Sequence, residues 1–174
     1  MVERHHRPPW PDSCFVLDLD ELPGDVTADQ LLALERREQP VVGVVRGSCE
    51  GPALAAACAV QLLVAGPGAS FRACGPSADL AVRRAHDLVG RRVASYLTVR
   101  PVSADDAHAW GLVSRLSEEP EQLAEQLCAL LATRSPTAVG TILAQLGRHA
   151  AADHLRSRVT SRALDRQDPQ IPSR

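Results

Sequence analysis

Pro40-Val41-Val42-Gly43-Val44-Val45-Arg46-Gly47-Ser48-Cys49-Glu50-Gly51-Pro52-Ala53-Leu54-Ala55-Ala56-Ala57-Cys58-Ala59-Val60-Gln61-Leu62-Leu63-Val64-Ala65 is the stretch on which the fold turns. Val41 to Val45 is apolar and β-branched with no helical period, which predicts a strand buried on both faces. Arg46 to Gly51 carries two glycines and reads as a turn. Pro52 to Val64 reads as an apolar helix, with Pro52 in the first-turn position where its missing N–H does no harm. Such a helix start gathers backbone N–H groups and partial positive charge where an oxyanion can sit. On pattern alone the glycines are better read as a tight turn into a packed helix and nothing more.

Working outward, Cys14 to Leu22 alternates apolar and acidic residues after Val16, as a strand with one wet face does. Thr27 is an N-cap candidate for a short helix with Asp29 and Gln30 in its first turn and Leu31, Leu32 and Leu34 as its apolar face, ending before Pro40. Gln61 to Ala65 can alternatively be a short strand. Gly66-Pro67-Gly68 is a turn, and Ala69 to Ala73 is extended. A helix capped by Ser77 or Asp79 runs through Val89. Val93 to Val99 is helical or extended. Ser103 caps a helix to Trp110, Gly111 ends it, and Leu112-Val113 follows as a strand. Glu118 to Thr133 is an amphipathic helix. Two more helices are expected, from Ser135 to His149 and from Ala152 to Asp165.

Composition narrows the function classes. The chain has 174 residues and a formal charge of −2, so it carries no basic field for nucleic acid. It has no lysine, which excludes Schiff-base chemistry on that side chain. With aromatics at 3%, the core must be built from Ala, Leu and Val. No signal peptide and no membrane-spanning segment is expected, and the expected location is the cytoplasm. Cys14, Cys49, Cys58, Cys74 and Cys128 have no metal-ligand spacing and read as small thiols in a reducing compartment. No metal site is expected, His5-His6 included, and no phosphate or dinucleotide fingerprint occurs.

The stretch Val45-Arg46-Gly47-Ser48-Cys49-Glu50-Gly51-Pro52-Ala53 resembles the Val-Asn-Gly-x-Ala-x-Gly-Gly-Gly turn of the enoyl-CoA hydratase/isomerase (crotonase) family. A second block is similar to the family as well: Leu97-Thr98, Arg100-Pro101-Val102-Ser103-Ala104-Asp105-Asp106-Ala107 and Trp110-Gly111-Leu112-Val113-Ser114-Arg115. The resemblance implies an α/β crotonase-like (ClpP/crotonase) core over residues 13–116. Residues 117–167 would form a helical C-terminal oligomerisation region, flanked by an irregular segment 1–12 and a loose tail 168–174. It also implies that Phe15 to Glu21 is the first oxyanion turn, with Asp20 on the family's Asp and Asp18 in place of its Gly. Against the family pattern the opening strands are missing. An exposed sheet edge is then expected, covered by a homo-oligomer or by a full-length crotonase partner, unless the chain is a truncated gene product.

In that family two backbone N–H groups hold a thioester carbonyl as it becomes an enolate, and two carboxylates move the protons. Here the second amide falls on Pro52, which has no N–H. Gly51 or Ala53 are the substitutes. The two carboxylate positions fall on Ala55 and Gly75. Asp79 is the first candidate for a relocated acid, with Glu50, His86 and Asp87 behind it. Each also has a plainer role: a helix cap for Asp79, solvated charges for Glu50 and Asp87, a satisfied histidine for His86. The implied activity is hydration, dehydration, isomerisation or decarboxylation of an acyl thioester on CoA or acyl carrier protein, with no cofactor, in fatty-acid or polyketide metabolism. The alternative is a degenerate subunit that stabilises or regulates an active partner.

Overall fold

A computed structural model describes residues 14–134 except 25, 36 and 38, together with residues 138, 139 and 141. Its elements in order are β1 (Phe15–Asp18), α1 (Ala28–Glu35), β2 (Val41–Val45), β3 (Ser48–Glu50), α2 (Gly51–Ala57), β4 (Leu62–Ala65), β5 (Ser70–Arg72), α3 (Ala78–Val89), α4 (Arg91–Val99), β6 (Val102–Ser103), α5 (Ala104–Ala109), β7 (Arg115–Leu116) and α6 (Pro120–Ala132). They build two small sheets. The first is parallel throughout, in the order β1-β2-β4-β7. The second pairs β3 with β5 in parallel and β5 with β6 antiparallel.

β2 is the centre of the molecule because every one of its residues is buried. Val42 and Val44 pack with Val64 under α6, where Ala124 and Cys128 lie. Val45 belongs to the larger core on the other face, with Leu19, Leu31, Leu54, Leu63 and Phe71. Apolar cover on both faces explains a valine run without polar alternation. Gly43 permits the closeness: a Cβ there would stand 3.0 Å from both Leu63 and Val60 and 3.2 Å from Leu19.

The helices start and stop where local chemistry dictates. Thr27 and Gln30 form a reciprocal cap on α1, with Gln30 N donating to Thr27 Oγ1 (3.3 Å) and Thr27 N to Gln30 Oε1 (2.8 Å). Leu31 is buried, Leu34 is half-buried, and Glu35 pairs with Arg84 of α3. Ser103 Oγ accepts from Asp106 N at 3.2 Å and opens α5 as expected. The 93–99 ambiguity resolves as helix.

Three expected boundaries are corrected. The Arg46–Gly51 turn contains the strand β3, because Ser48 to Glu50 pair with Ser70 to Arg72. The helix expected over Pro52–Val64 ends at Ala57. Beyond it Gln61 clamps the chain onto β2, with Gln61 N donating to Val41 O (3.2 Å) and Val41 N to Gln61 Oε1 (2.7 Å), so Leu62 to Ala65 extend as β4. Leu112 and Val113 are not a strand. Both of their N–H groups donate to Ala107 O and close α5, and the strand begins at Arg115.

The reading of five thiols is also overturned. Cys14 and Cys128 are joined by a disulfide across 114 residues of sequence. Two residues that are distant in sequence met on one face of β2, which spacing alone does not reveal. The expected helices from Ser135 and Ala152, the segment 1–12 and the tail 168–174 lie wholly or mostly outside the described residues.

Candidate active site

The C-terminal ends of β1 and β2 meet through Asp20, Arg46 and Gly47 at the carboxyl end of the parallel sheet, where open α/β sheets place their ligands. Phe15 to Asp18 is strand, and Leu19 to Glu21 is turn, so both readings of this segment hold for part of it. Leu19 N is used by Val44 O (3.0 Å), and Asp20 N by the Asp18 carboxylate (3.0 Å). Asp20 binds the turn to the end of β2: it accepts from Arg46 N at 2.8 Å and from Gly47 N at 3.0 Å.

Arg46 stands where the resembled turn has asparagine, and its guanidinium gathers three carboxylates. Asp18 lies at 2.5 Å and Asp20 at 3.2 Å, and Glu121 of α6 completes the set. Burial works against the Arg46 charge. The hydrogen bonds and negative charge of Asp18 and Glu121 outweigh it and hold the guanidinium still further above its usual range. This network ties α6 to the ends of β1 and β2. Sequence reading missed it, although Arg46 in the place of asparagine and an acidic Asp18 in the place of glycine were the visible signals.

Gly51 opens α2 in the left-handed region (φ 51°), and a Cβ there would lie 2.9 Å from Pro76 O and 3.3 Å from Cys74 O. The backbone there requires glycine. Pro52 takes the first-turn position, as expected. The N–H groups of Gly51 and Ala53 have no acceptor within the helix, because they belong to its first turn. Glu50 caps α2 by position only, without a side-chain bond. Its carboxylate instead accepts from the Cys74 thiol (3.1 Å). That hydrogen bond first, then burial and the charge of Glu50, raises the thiol's pKa. Burial pushes the Cys49 thiol well up and the Cys58 thiol up to about 12.

Ala55 is fully buried against the core. Gly75 has φ 65°, so an ordinary side chain at that position would be strained. Asp79 lies in the first turn of α3, its side chain 73% exposed and paired with Arg83 at 2.5 Å. His86 and Asp87 are exposed neighbours on the same helix, 3.2 Å apart. The structure therefore brings Asp18, Asp20, Arg46 and Glu121 together and leaves Asp79, His86 and Asp87 on the outer surface of α3.

Beside the first turn runs an apolar groove of ≈ 270 Å³, lined by Leu17, Leu22, Pro23, Val26, Leu31 and Ala56 among others. It runs between β1, the segment that follows its turn and α1, and reaches α2 at Ala56. Gln30 is the one polar side chain along it. Among the described residues no cluster of His, Cys, Asp and Glu could hold a metal ion, and no helix is long and apolar enough to cross a membrane.

No family model matches the chain. Over 114 residues, 61% of the chain, it is 35% identical to the probable enoyl-CoA hydratase EchA12 of Mycobacterium tuberculosis. The match spans 39% of that protein's length. Among solved structures, a probable enoyl-CoA hydratase/isomerase from Mycobacterium abscessus superposes with a TM-score of 0.67 at 27% identity, covering 78% of this chain and 56% of that one. ThnE from S. clavuligerus has the same fold with a TM-score of 0.71 at 17% identity, covering 85% of this chain and 81% of that one. Over the aligned stretch the chain is similar in sequence to enoyl-CoA hydratases, and its paired sheets and helical layers have the fold of the enoyl-CoA hydratase/isomerase (crotonase) family, of which it spans only part of the length.

Proposed function

We propose that this chain binds an acyl thioester at the sheet edge between the Asp20 turn and α2, in the manner of an enoyl-CoA hydratase/isomerase. The observation that carries the reading is the apolar groove. Its walls come from Leu17 of β1, the segment after the β1 turn, α1 and, through Ala56, the far end of α2. The acyl chain lies along Leu17, Leu22 and Ala56. The carbonyl oxygen is held by the first-turn amide of Gly51 or Ala53, since Pro52 offers none. Asp79 is the candidate proton donor, and to serve it must leave Arg83 and the outer surface of α3. The thioester is carried by CoA or by an acyl carrier protein, in fatty-acid or polyketide metabolism. The chain works in the cytoplasm as a homo-oligomer or beside a full-length crotonase.

A second reading is favoured by specific residues. Ala55 and Gly75 carry no proton, and Pro52 carries no N–H. On these grounds the chain is a non-catalytic subunit that keeps the scaffold and supports an active partner. Turnover of crotonyl-CoA and of a carrier-bound enoyl thioester, measured for the wild type and Asp79→Asn, separates the two. Turnover lost in the variant supports the enzyme. Binding without turnover in either protein supports the subunit. If neither binding nor turnover occurs, the thioester reading is wrong.

A further inference from the structure

Cys49 and Cys58 are buried free thiols in the larger core, and Cys74 is a free thiol beside Glu50. Cys14 and Cys128 stand apart from all three, on the opposite side of β2 in the smaller cluster beneath α6. Their Cα atoms are 5.3 Å apart, within the range a disulfide requires. We propose that the Cys14–Cys128 bond is a redox-sensitive staple that fastens α6 to the edge of the sheet and, through Glu121 and Arg46, holds the Asp20 turn in place.

The two elements joined are weakly held in other respects. β1 is the edge strand among the described residues, and all four of its residues are only half-buried. α6 buries Pro120, Ala124 and Cys128, small side chains that give little apolar area, with Leu123, Leu127 and Leu131 half-covered beside them. Thin burial makes local opening easy. Glu121 lies two helical turns before Cys128, so both face the sheet. The covalent bond fixes one end of this helix, and Glu121, paired with Arg46, fixes the other. Opening α6 therefore removes a partner from the guanidinium that also holds Asp18 and Asp20.

The oxidant required is a small-molecule disulfide such as oxidised glutathione. One cysteine thiolate attacks it, forming a mixed disulfide and releasing one glutathione thiolate. The second cysteine thiolate then displaces the other glutathione. Two protein thiols become one disulfide, two electrons pass to the glutathione sulfurs, and the two thiol protons leave with the released glutathiones. Cys14 and Cys128 are 4% and 0% exposed, so exchange in either direction proceeds through the opening of α6.

The test uses the full chain. After treatment with oxidised glutathione and alkylation in denaturant, three thiols should react instead of five, and peptide mapping should find Cys14 joined to Cys128. Dithiothreitol should restore five. It should also lower Tm by about 10 °C or more, from the size of the loop that is released. Amide exchange in α6 and at Arg46 and Gly47 should quicken about tenfold or more. Cys128→Ser should behave in oxidant like the reduced wild type, with Cys74→Ser unchanged. Should Cys128→Ser fail to fold, reduction of the wild type gives the same reading. Five reactive thiols after oxidation, a crosslink to another cysteine, or reduction that leaves exchange in α6 and at Arg46–Gly47 unaltered would each overturn the proposal.

Discussion

Arg46→Met is the change that interrogates the sheet edge most sharply. It keeps an unbranched side chain and removes a charge shared by Asp18, Asp20 and Glu121. The participating side chains are 22% to 44% exposed, so the pairs are screened by water. Partly exposed ion pairs are worth about 0.2–1 kcal/mol each. Asp20 keeps its bonds to the backbone N–H of residues 46 and 47, which limits the loss at that contact. Three carboxylates left without their cation repel one another and add to the loss. The sum is about 1–2 kcal/mol, or a Tm lower by about 2–8 °C for a chain of this size. The sign of the salt response is the diagnostic part. Added salt weakens the attraction in the wild type and the repulsion in the variant, so the gap must narrow as salt rises. Urea denaturation of both proteins at low and high salt reads all of this. Equal stability at low salt, or a gap that widens with salt, would refute the assignment of Arg46 as the cation that organises this edge.

Three other substitutions probe separate parts of the account. Gly51→Ala places a Cβ on Pro76 O in a left-handed backbone and should lower stability by about 1–3 kcal/mol in chemical denaturation, more than an alanine at an ordinary exposed glycine. Ala55→Glu restores a carboxylate at the position the family uses, but in a fully buried site without a partner. It should cost about 3–5 kcal/mol and give no turnover, so a stable and active variant would show that the site is open after all. Glu50→Gln removes the carboxylate that raises the Cys74 thiol's pKa. More thiolate is then present at pH 8, and alkylation of Cys74 by iodoacetamide should be faster than in the wild type, while Cys49 and Cys58 stay unreactive because burial holds their protons on.

The order of elements was legible where the chain announces it. Val41 to Val45 has no reading except a strand covered on both faces, and Ser103 with Asp106 carries its cap in the sequence. Thr27 and Gln30 do the same for α1. What was not legible depends on partners far along the chain. The three residues of β3 have no strand pattern of their own and become extended because β5 lies beside them. The alanine-rich run from Ala53 favours helix by propensity, and only the clamp of Gln61 on Val41 stops it. At the site, the absences were readable residue by residue: no N–H at Pro52, no acid at Ala55 or Gly75. The structure adds a physical reason for two of them, since Ala55 is sealed in the core and Gly75 needs a positive φ. The Arg46 network and the Cys14–Cys128 bond join residues that no local pattern connects.

The measurement that bears most directly on the central claim is a calorimetric comparison of crotonyl-CoA with free CoA. If the groove along Leu17, Leu22 and Ala56 receives an acyl chain and the start of α2 receives its carbonyl, crotonyl-CoA should bind at least about tenfold more tightly than CoA, a difference of about 1.4 kcal/mol. Equal affinity for the two, or no heat of binding from either, would contradict the claim that this sheet edge is a thioester site.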